Sequence, residues 1–300
     1  MRLAGAVDIG ATNTKIGMVT EDGRIIRRST MPTKTGTEPD HLVDAIAIEL
    51  RQMLDAVADE RNQVAAIGIA VAGFLDREHT MMVANPNLPS LLNFALRRAF
   101  EERFELHCHL EVDSNASTVA EYRFGMGRGA SRLLGLTLGT GVGGGVIVSG
   151  KLLRFTGECA GDVAHIVVDP NGRHCTCGAR GCLEAMVNSA ALSERGGSRK
   201  PADIINGAKK GDTASISAVA ETGRYLGRGL ASLSPTFAPE KIVIGGGLAA
   251  AGDLLIEPAK KSYDELVADD FRGKVPIVAS NFDGWEGMVG AASLALASLD

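Results

Sequence analysis

Aromatic residues are scarce: one Trp, three Tyr and nine Phe make up 4% of the 300 residues. Base stacking on nucleic acid therefore has little to work with. No basic block occurs and the formal net charge is -5, which argues a second time against a nucleic-acid partner. A polar ligand must be held mainly by hydrogen bonds. G-x-x-x-x-G-K-[ST] is absent, so the chain is not a P-loop protein. Long apolar runs are absent too. The longest, "LLGLTLGTGVGGGVIV", is broken by six glycines and reads as two strands, not a membrane helix. The opening "MRLAGAVDIG" lacks the apolar core of a signal peptide. These absences point to a cytoplasmic protein without a membrane partner. In that reducing setting, clustered cysteines mean metal more often than disulfide.

What is present is an ordinary globular balance, 45% hydrophobic and 22% charged, on a chain long enough for two lobes. "AGAVDIG" reads as a buried strand. "TKIGMVTEDGRIIRRSTM" reads as a hairpin around Asp22-Gly23. Leu42, Ile46, Leu50, Leu54 and Val57 share one face of a helix over 39–60. "VAAIGIAVAGF" is a strand, "SLLNFALRRAFEERF" an amphipathic helix and "LHCHLEV" a strand. "NASTVAEYRFG" is a helix capped by its Asn or a neighbouring Ser. "RLLGLTLGTGVGGGVIVSGKLL" is a second glycine-turned strand pair. Helices follow at about 184–193 and 214–233. Then come the strand "KIVIGGG", a helix over 253–267, the strand "VPIVAS" and a helix over 285–298. Strands alternating with helices imply an α/β fold. No sequence repeat is strong enough to prove duplication.

Three glycine turns sit at strand ends. In "DIGATNTK", Gly10 permits a tight turn, and Thr12, Asn13 and Thr14 supply small donors for a phosphate. Asp8, at the strand end, can hold Mg²⁺ directly or through water. "LGTGVGGG" contains G-x-G-x-x-G at Gly139, Gly141 and Gly144, but a strand follows where a dinucleotide fold needs a helix. A hairpin whose turn and Thr140 approach a phosphate fits better. "IVIGGGLAAAG" is the third turn. The stretch "HIVVDPNGRHCTCGARGCLE", residues 165–184, packs three cysteines and two histidines into twenty residues, and only two cysteines lie elsewhere.

"VDIGATNTK", "EVDSNASTVAE", "LGTGVGGG", "AGDVAH", "CTCGARGCLE" and "IVIGGG" occur in this order and resemble the ROK family of sugar kinases. That family includes bacterial glucokinases and N-acetylhexosamine kinases. The resemblance runs through the closing "GMVGAASLAL". It implies the two-lobed actin-like, hexokinase-like fold, with a ribonuclease-H-like core in each lobe and a ligand cleft between lobes. The small N-terminal lobe is expected over 1–114 plus about 286–300, and the large lobe with the zinc loop over 115–285. The implied reaction is ATP-dependent phosphorylation of a sugar hydroxyl, the primary one of a hexose or amino sugar. Asp113 in "EVDSN" matches the family's general base. Taken alone, it reads as readily as a helix N-cap. ATP and Mg²⁺ fall to Asp8, Gly10, Thr12, Asn13, Thr140, Gly141, Gly245 and Gly246. Sugar contacts fall to Gly73, Asn87, Val112, Asp113, Asp162, His165 and Glu184. A homodimer is also implied.

The family pattern selects His165, Cys175, Cys177 and Cys182 as zinc ligands and skips His174 and Cys159. Four protein ligands close a tetrahedral site, so the metal is expected to be structural and to fix the sugar-binding segment. On that basis its loss weakens sugar binding while ATP binding persists.

The chain also departs from the family. Val112 stands where an Asn usually contacts sugar hydroxyls. "GDVAH" replaces GE-x-GH, so Asp162 is a methylene short and Ala164 replaces Gly. Ala11 and Asn13 replace the usual Gly and Lys of the phosphate loop. A site that loses an amide changes its hydroxyl preference. An unusual hexose, an amino sugar or a cyclitol then becomes a substrate to test, and a catalytically weak sugar sensor is the rival function. A ROK-type repressor needs a DNA-binding segment ahead of the phosphate loop, which here begins at residue 8. A zinc hydrolase needs an open metal position.

Overall fold

The computed structural model describes residues 2–57, 63–84, 88–154 and 162–300. Asn87 and Cys159 lie outside the described residues. The chain forms two compact units. One comprises the chain through Phe124, Arg154 and Trp285–Asp300; the other comprises Gly125–Leu153 and the chain from Asp162 to Gly284.

The first unit opens with the meander β1 (Arg2–Ile9), β2 (Asn13–Thr20) and β3 (Ile25–Pro32). Helix α1 (Pro39–Val57) crosses to β4 (Gln63–Val71). A short pair, β5 (Phe74–Leu75) and β6 (Met82–Ala84), precedes α2 (Leu96–Phe104), β7 (His107–Val112) and α3 (Asp113–Arg123). The five long strands stand in the order β3-β2-β1-β4-β7. β1 is buried because Leu3, Ala4, Ala6, Val7 and Ile9 bury side chains on both sheet faces. α1 packs Leu42, Val43, Ile46, Leu50, Met53 and Val57 inward, with Leu54 only partly buried.

The second unit repeats that logic. β8 (Arg132–Leu138), β9 (Val142–Val148) and β10 (Lys151–Leu152) form the meander. After the cysteine-rich segment come α4 (Leu183–Val187), α5 (Ser189–Arg195), α6 (Pro201–Lys209) and α7 (Thr213–Phe237). β11 (Lys241–Gly245), α8 (Asp253–Leu266) and β12 (Ile277–Ala279) follow. The sheet order is β10-β9-β8-β11-β12, with β8–β9 antiparallel and β8–β11–β12 parallel. The first unit's long strands have the same order and orientations. The two sheets thus share a topology that the sequence did not reveal as a repeat. α9 (Glu286–Ala297) returns the chain to the first unit.

Several helix boundaries differ from the sequence expectation, α7 running four residues past 233 among them. α2 starts at Leu96, not near residue 90, because Asn93 takes a left-handed conformation that no right-handed helix tolerates. The helix expected over 184–193 is two, broken at Asn188, whose Oδ1 accepts from the Ala191 N–H to cap α5. α3 has no Asn or Ser cap. Its N-cap is Val112, so the helix begins at Asp113 itself. α6 was not anticipated, although Pro201 at its first turn is a start signal.

Candidate active site and metal centre

In the first unit, the β1–β2 register sets Asp8 directly opposite Lys15. Lys15 Nζ lies 3.5 Å from Asp8 Oδ2. Between them, Gly10 closes the turn by donating its N–H to the Asn13 carbonyl at 3.1 Å, and Thr12 and Asn13 are exposed. α9 approaches Asp8 through Gly287, where a Cβ would lie 2.8 Å from Asp8 Oδ2. Burial pushes the Asp8 pKa up, the Glu286 charge adds to this, and Lys15 opposes it. A carboxylate in that state is relieved by a divalent cation, so Asp8 fits a Mg²⁺-holding role.

Asp113 sits at the first position of α3, half-buried. Because Val112 is the N-cap, Asp113 is not the capping residue; its Oδ1 accepts from the Ser114 N–H at 2.7 Å. Burial, with the nearby Asp8 charge adding to it, raises its pKa from 3.8 to about 6. The two carboxylates therefore sense one another electrostatically.

The strand–helix junction under Asp113 is anchored by a residue that the sequence did not single out. Glu111 is fully buried. Its Oε1 accepts from Val112 N at 3.0 Å and Asn115 Nδ2 at 3.1 Å. Its Oε2 accepts from Arg154 Nε at 3.1 Å and Nη2 at 2.7 Å. α9 clamps the other side: a Cβ on Gly290 would lie 1.7 Å from the Ala116 carbonyl oxygen, so only glycine permits this α3–α9 approach. Gly73 follows β4 with φ +119°, a conformation suited to glycine.

In the second unit, one ligand atom each from His165, Cys175, Cys177 and Cys182 lies within 4.8 Å of the others. Cys175 Sγ is 3.5 Å from His165 Nδ1, and Cys177 Sγ is 3.6 Å from Cys182 Sγ. Ligands about 2.3 Å from a tetrahedral centre lie about 3.8 Å apart. This donor set fits a closed structural zinc site. Its loop is made by a tight turn in which Gly178 N donates to the Cys175 carbonyl at 3.0 Å, with Gly178 at φ +94°. His174 instead contacts the Arg180 guanidinium. Asp162 caps the short turn that carries His165, accepting from Ala164 N at 2.9 Å. Its other oxygen lies 3.6 Å from His165 Nε2. It therefore stands behind a metal ligand, where a carboxylate orients the imidazole.

Thr140 is exposed at the β8–β9 turn beside Gly141. Gly245 ends β11. Gly246, at φ +81°, lies against Leu138 at the end of β8, where a Cβ would come within 2.5 Å of the carbonyl oxygen. Glu184 lies in the first turn of α4, and its Oε2 accepts from Val142 N at 3.0 Å. No described helix is long and apolar enough to cross a membrane.

The sequence model of the ROK family matches residues 4–298. A glucokinase of Thermotoga maritima is 32% identical, covering 98% of this chain and 97% of its own. An N-acetylmannosamine kinase of Escherichia coli is 32% identical over 97% of both chains. A ROK family glucokinase of Streptomyces griseus, solved with glucose and AMPPNP, is 31% identical with a TM-score of 0.88. The match covers 98% of this chain and 99% of that one.

Proposed function

The chain belongs to the ROK family, and we propose that it is an ATP-dependent carbohydrate kinase that phosphorylates the primary hydroxyl of a hexose or amino sugar. Curated relatives that phosphorylate sugars support the reaction class. The observation that carries the mechanism is the pair Asp8 and Asp113. Both carboxyls are desolvated and each end of the pair has a different neighbour, Lys15 for Asp8 and the α3 N-terminus for Asp113. Two titrating groups held in unlike surroundings can take separate acid–base tasks.

In this reading Asp113 accepts the hydroxyl proton as the sugar oxygen attacks the terminal phosphorus. Asp8, with the Gly10–Asn13 turn, serves Mg²⁺ and phosphate; bound Mg²⁺ neutralises charge on the transferred group. Thr140, Gly141, Gly245 and Gly246 serve the nucleotide. Asp162, His165 and Glu184, on or beside the metal-bound segment, are the sugar contacts this reading assigns in the second unit; Gly73 and Val112 are those it assigns in the first. Zinc, held by His165 and the three cysteines, fixes geometry and performs no chemistry.

A base must be ionised to work. With Asp113 raised to about 6, kcat/KM is expected to climb as pH rises through about 6 and to level off above it. A profile flat from pH 5 to 8 contradicts the assignment.

Val112 sets the test of specificity. A screen of hexoses, amino sugars and cyclitols with Mg²⁺-ATP is expected to give sugar-dependent ADP release for at least one member. Val112→Asn restores an amide donor and acceptor. It should shift the ranking toward glucose by about tenfold, the scale of one net hydrogen bond. An unchanged ranking removes residue 112 from the sugar pocket.

A further inference from the structure

Glycine loses more conformational freedom on ordering than any other residue, so outside contacts that fix the backbone of a glycine-rich turn favour phosphate binding. The β8–β9 turn is of this kind. Between Leu138 and Val142 it has only Gly139, Thr140 and Gly141. Its own internal bond is Gly139 N donating to the Gly141 carbonyl at 2.9 Å.

Two residues beyond the turn hold it. Ser189 donates both its N–H and its Oγ–H to the Gly139 carbonyl, each at 2.8 Å. Glu184 holds the other arm through the Val142 N–H. A Cβ on residue 141 would lie 2.6 Å from Glu184 Oε2, so the carboxylate reaches the turn only because residue 141 is glycine.

Glu184 is in turn fixed by the metal-bound segment. It lies two residues after Cys182, which is the N-cap of α4. Leu183 N donates to the Ile166 carbonyl at 2.9 Å, next to His165. Thr176 Oγ1, between Cys175 and Cys177, lies 3.5 Å from Glu184 Oε1. One carboxylate thus faces the cysteine loop with one oxygen and the glycine turn with the other.

We propose that Glu184 is a positioning residue for the phosphate donor, tying the metal-bound segment to the β8–β9 turn so that donor affinity depends on that segment. This rests on the reading that the turn meets the donor's phosphates. It revises the expectation that nucleotide binding persists when the metal is lost, and it gives Glu184 a task besides sugar contact.

The test uses the zinc-loaded protein without sugar. Calorimetry reads the affinity for AMPPNP and for adenosine, and hydrogen exchange reads a peptide over residues 138–146. Zinc content is measured for wild type, Glu184→Ala, Glu184→Gln and Glu184→Asp. In wild type, AMPPNP should protect the turn. Glu184→Ala should speed exchange there and weaken AMPPNP about tenfold, the scale of one lost charge-assisted hydrogen bond, with adenosine unchanged. Glu184→Gln keeps an acceptor oxygen for Val142 N–H and should stay within about threefold of wild type. If AMPPNP protects the wild-type turn but Glu184→Ala leaves exchange and affinity unchanged, the proposal is overturned while the turn remains a donor site. If AMPPNP binds without protecting the turn, the donor reading of the turn fails and the proposal falls with it. Should Glu184→Ala fail to fold, Glu184→Asp, a methylene too short to reach both the Val142 N–H and Thr176, carries the test: faster exchange at the turn and weaker AMPPNP support the tie, and unchanged values contradict it.

Discussion

Asp113→Asn is expected to lower phosphoryl transfer by about 10²–10⁴-fold, the usual contribution of a general base, while raising thermal stability near neutral pH. The two effects have one cause. Burial lifts the Asp113 pKa from 3.8 to about 6, so the native state holds this proton more tightly than the unfolded chain does. The resulting stabilisation is complete below the unfolded value near 4. It is lost as pH rises through about 6, leaving an ionised, desolvated carboxylate at pH 7. An amide has no charge to desolvate and still offers an oxygen to the Ser114 N–H. The measurements are sugar-dependent ADP release and thermal unfolding of the same preparation. Activity near wild type removes Asp113 from the base role. Lost activity with lowered stability indicates damage to α3 instead.

Cys182→Ser should have the largest effect of any single change in the second unit. Structural zinc contributes about 10–16 kcal/mol to a small site, as large as the roughly 5–15 kcal/mol net stability of a typical domain. The consequence extends past the loop, because Val163, Ala164, Leu183, Met186 and Val187 belong to the second unit's main core. The first unit has a separate core built on β1, β4 and α1. Zinc content should fall well below one per chain, and hydrogen exchange should rise across residues 162–189. Sugar affinity should drop by more than about tenfold, and donor affinity should drop with it through Glu184. Exchange in the first unit should change little. A metal-free protein with full sugar and nucleotide affinity contradicts the clamp.

Patterns that are local in sequence were legible as such. The glycine-turned strand pairs follow from short apolar runs on either side of tight turns, and the cysteine spacing points to the metal site. Non-local features were not. Nothing in the sequence near β4 or β11 says which strand each will pair with in parallel, so the shared sheet order emerged only from the structure. Lys15 closes the stretch VDIGATNTK, yet its pairing with Asp8 depends on the β1–β2 register. Glu111 has no local feature that sets it apart from other polar residues at strand ends. Its burial depends on Arg154, forty-three residues away. By their position in a motif, Asp162 and Glu184 read as sugar contacts. Their hydrogen bonds to the His165 turn and to Val142 depend on how the metal loop folds back.

The most direct measurement is phosphorus NMR of a panel of hexoses and amino sugars incubated with Mg²⁺-ATP and the zinc-loaded protein. The expected result is a phosphate ester on the primary hydroxyl of at least one sugar, formed about 10²–10⁴-fold more slowly by Asp113→Asn. Sugars that bind while none is phosphorylated, or ATP hydrolysed with no ester formed, would contradict a sugar kinase and favour a sensor.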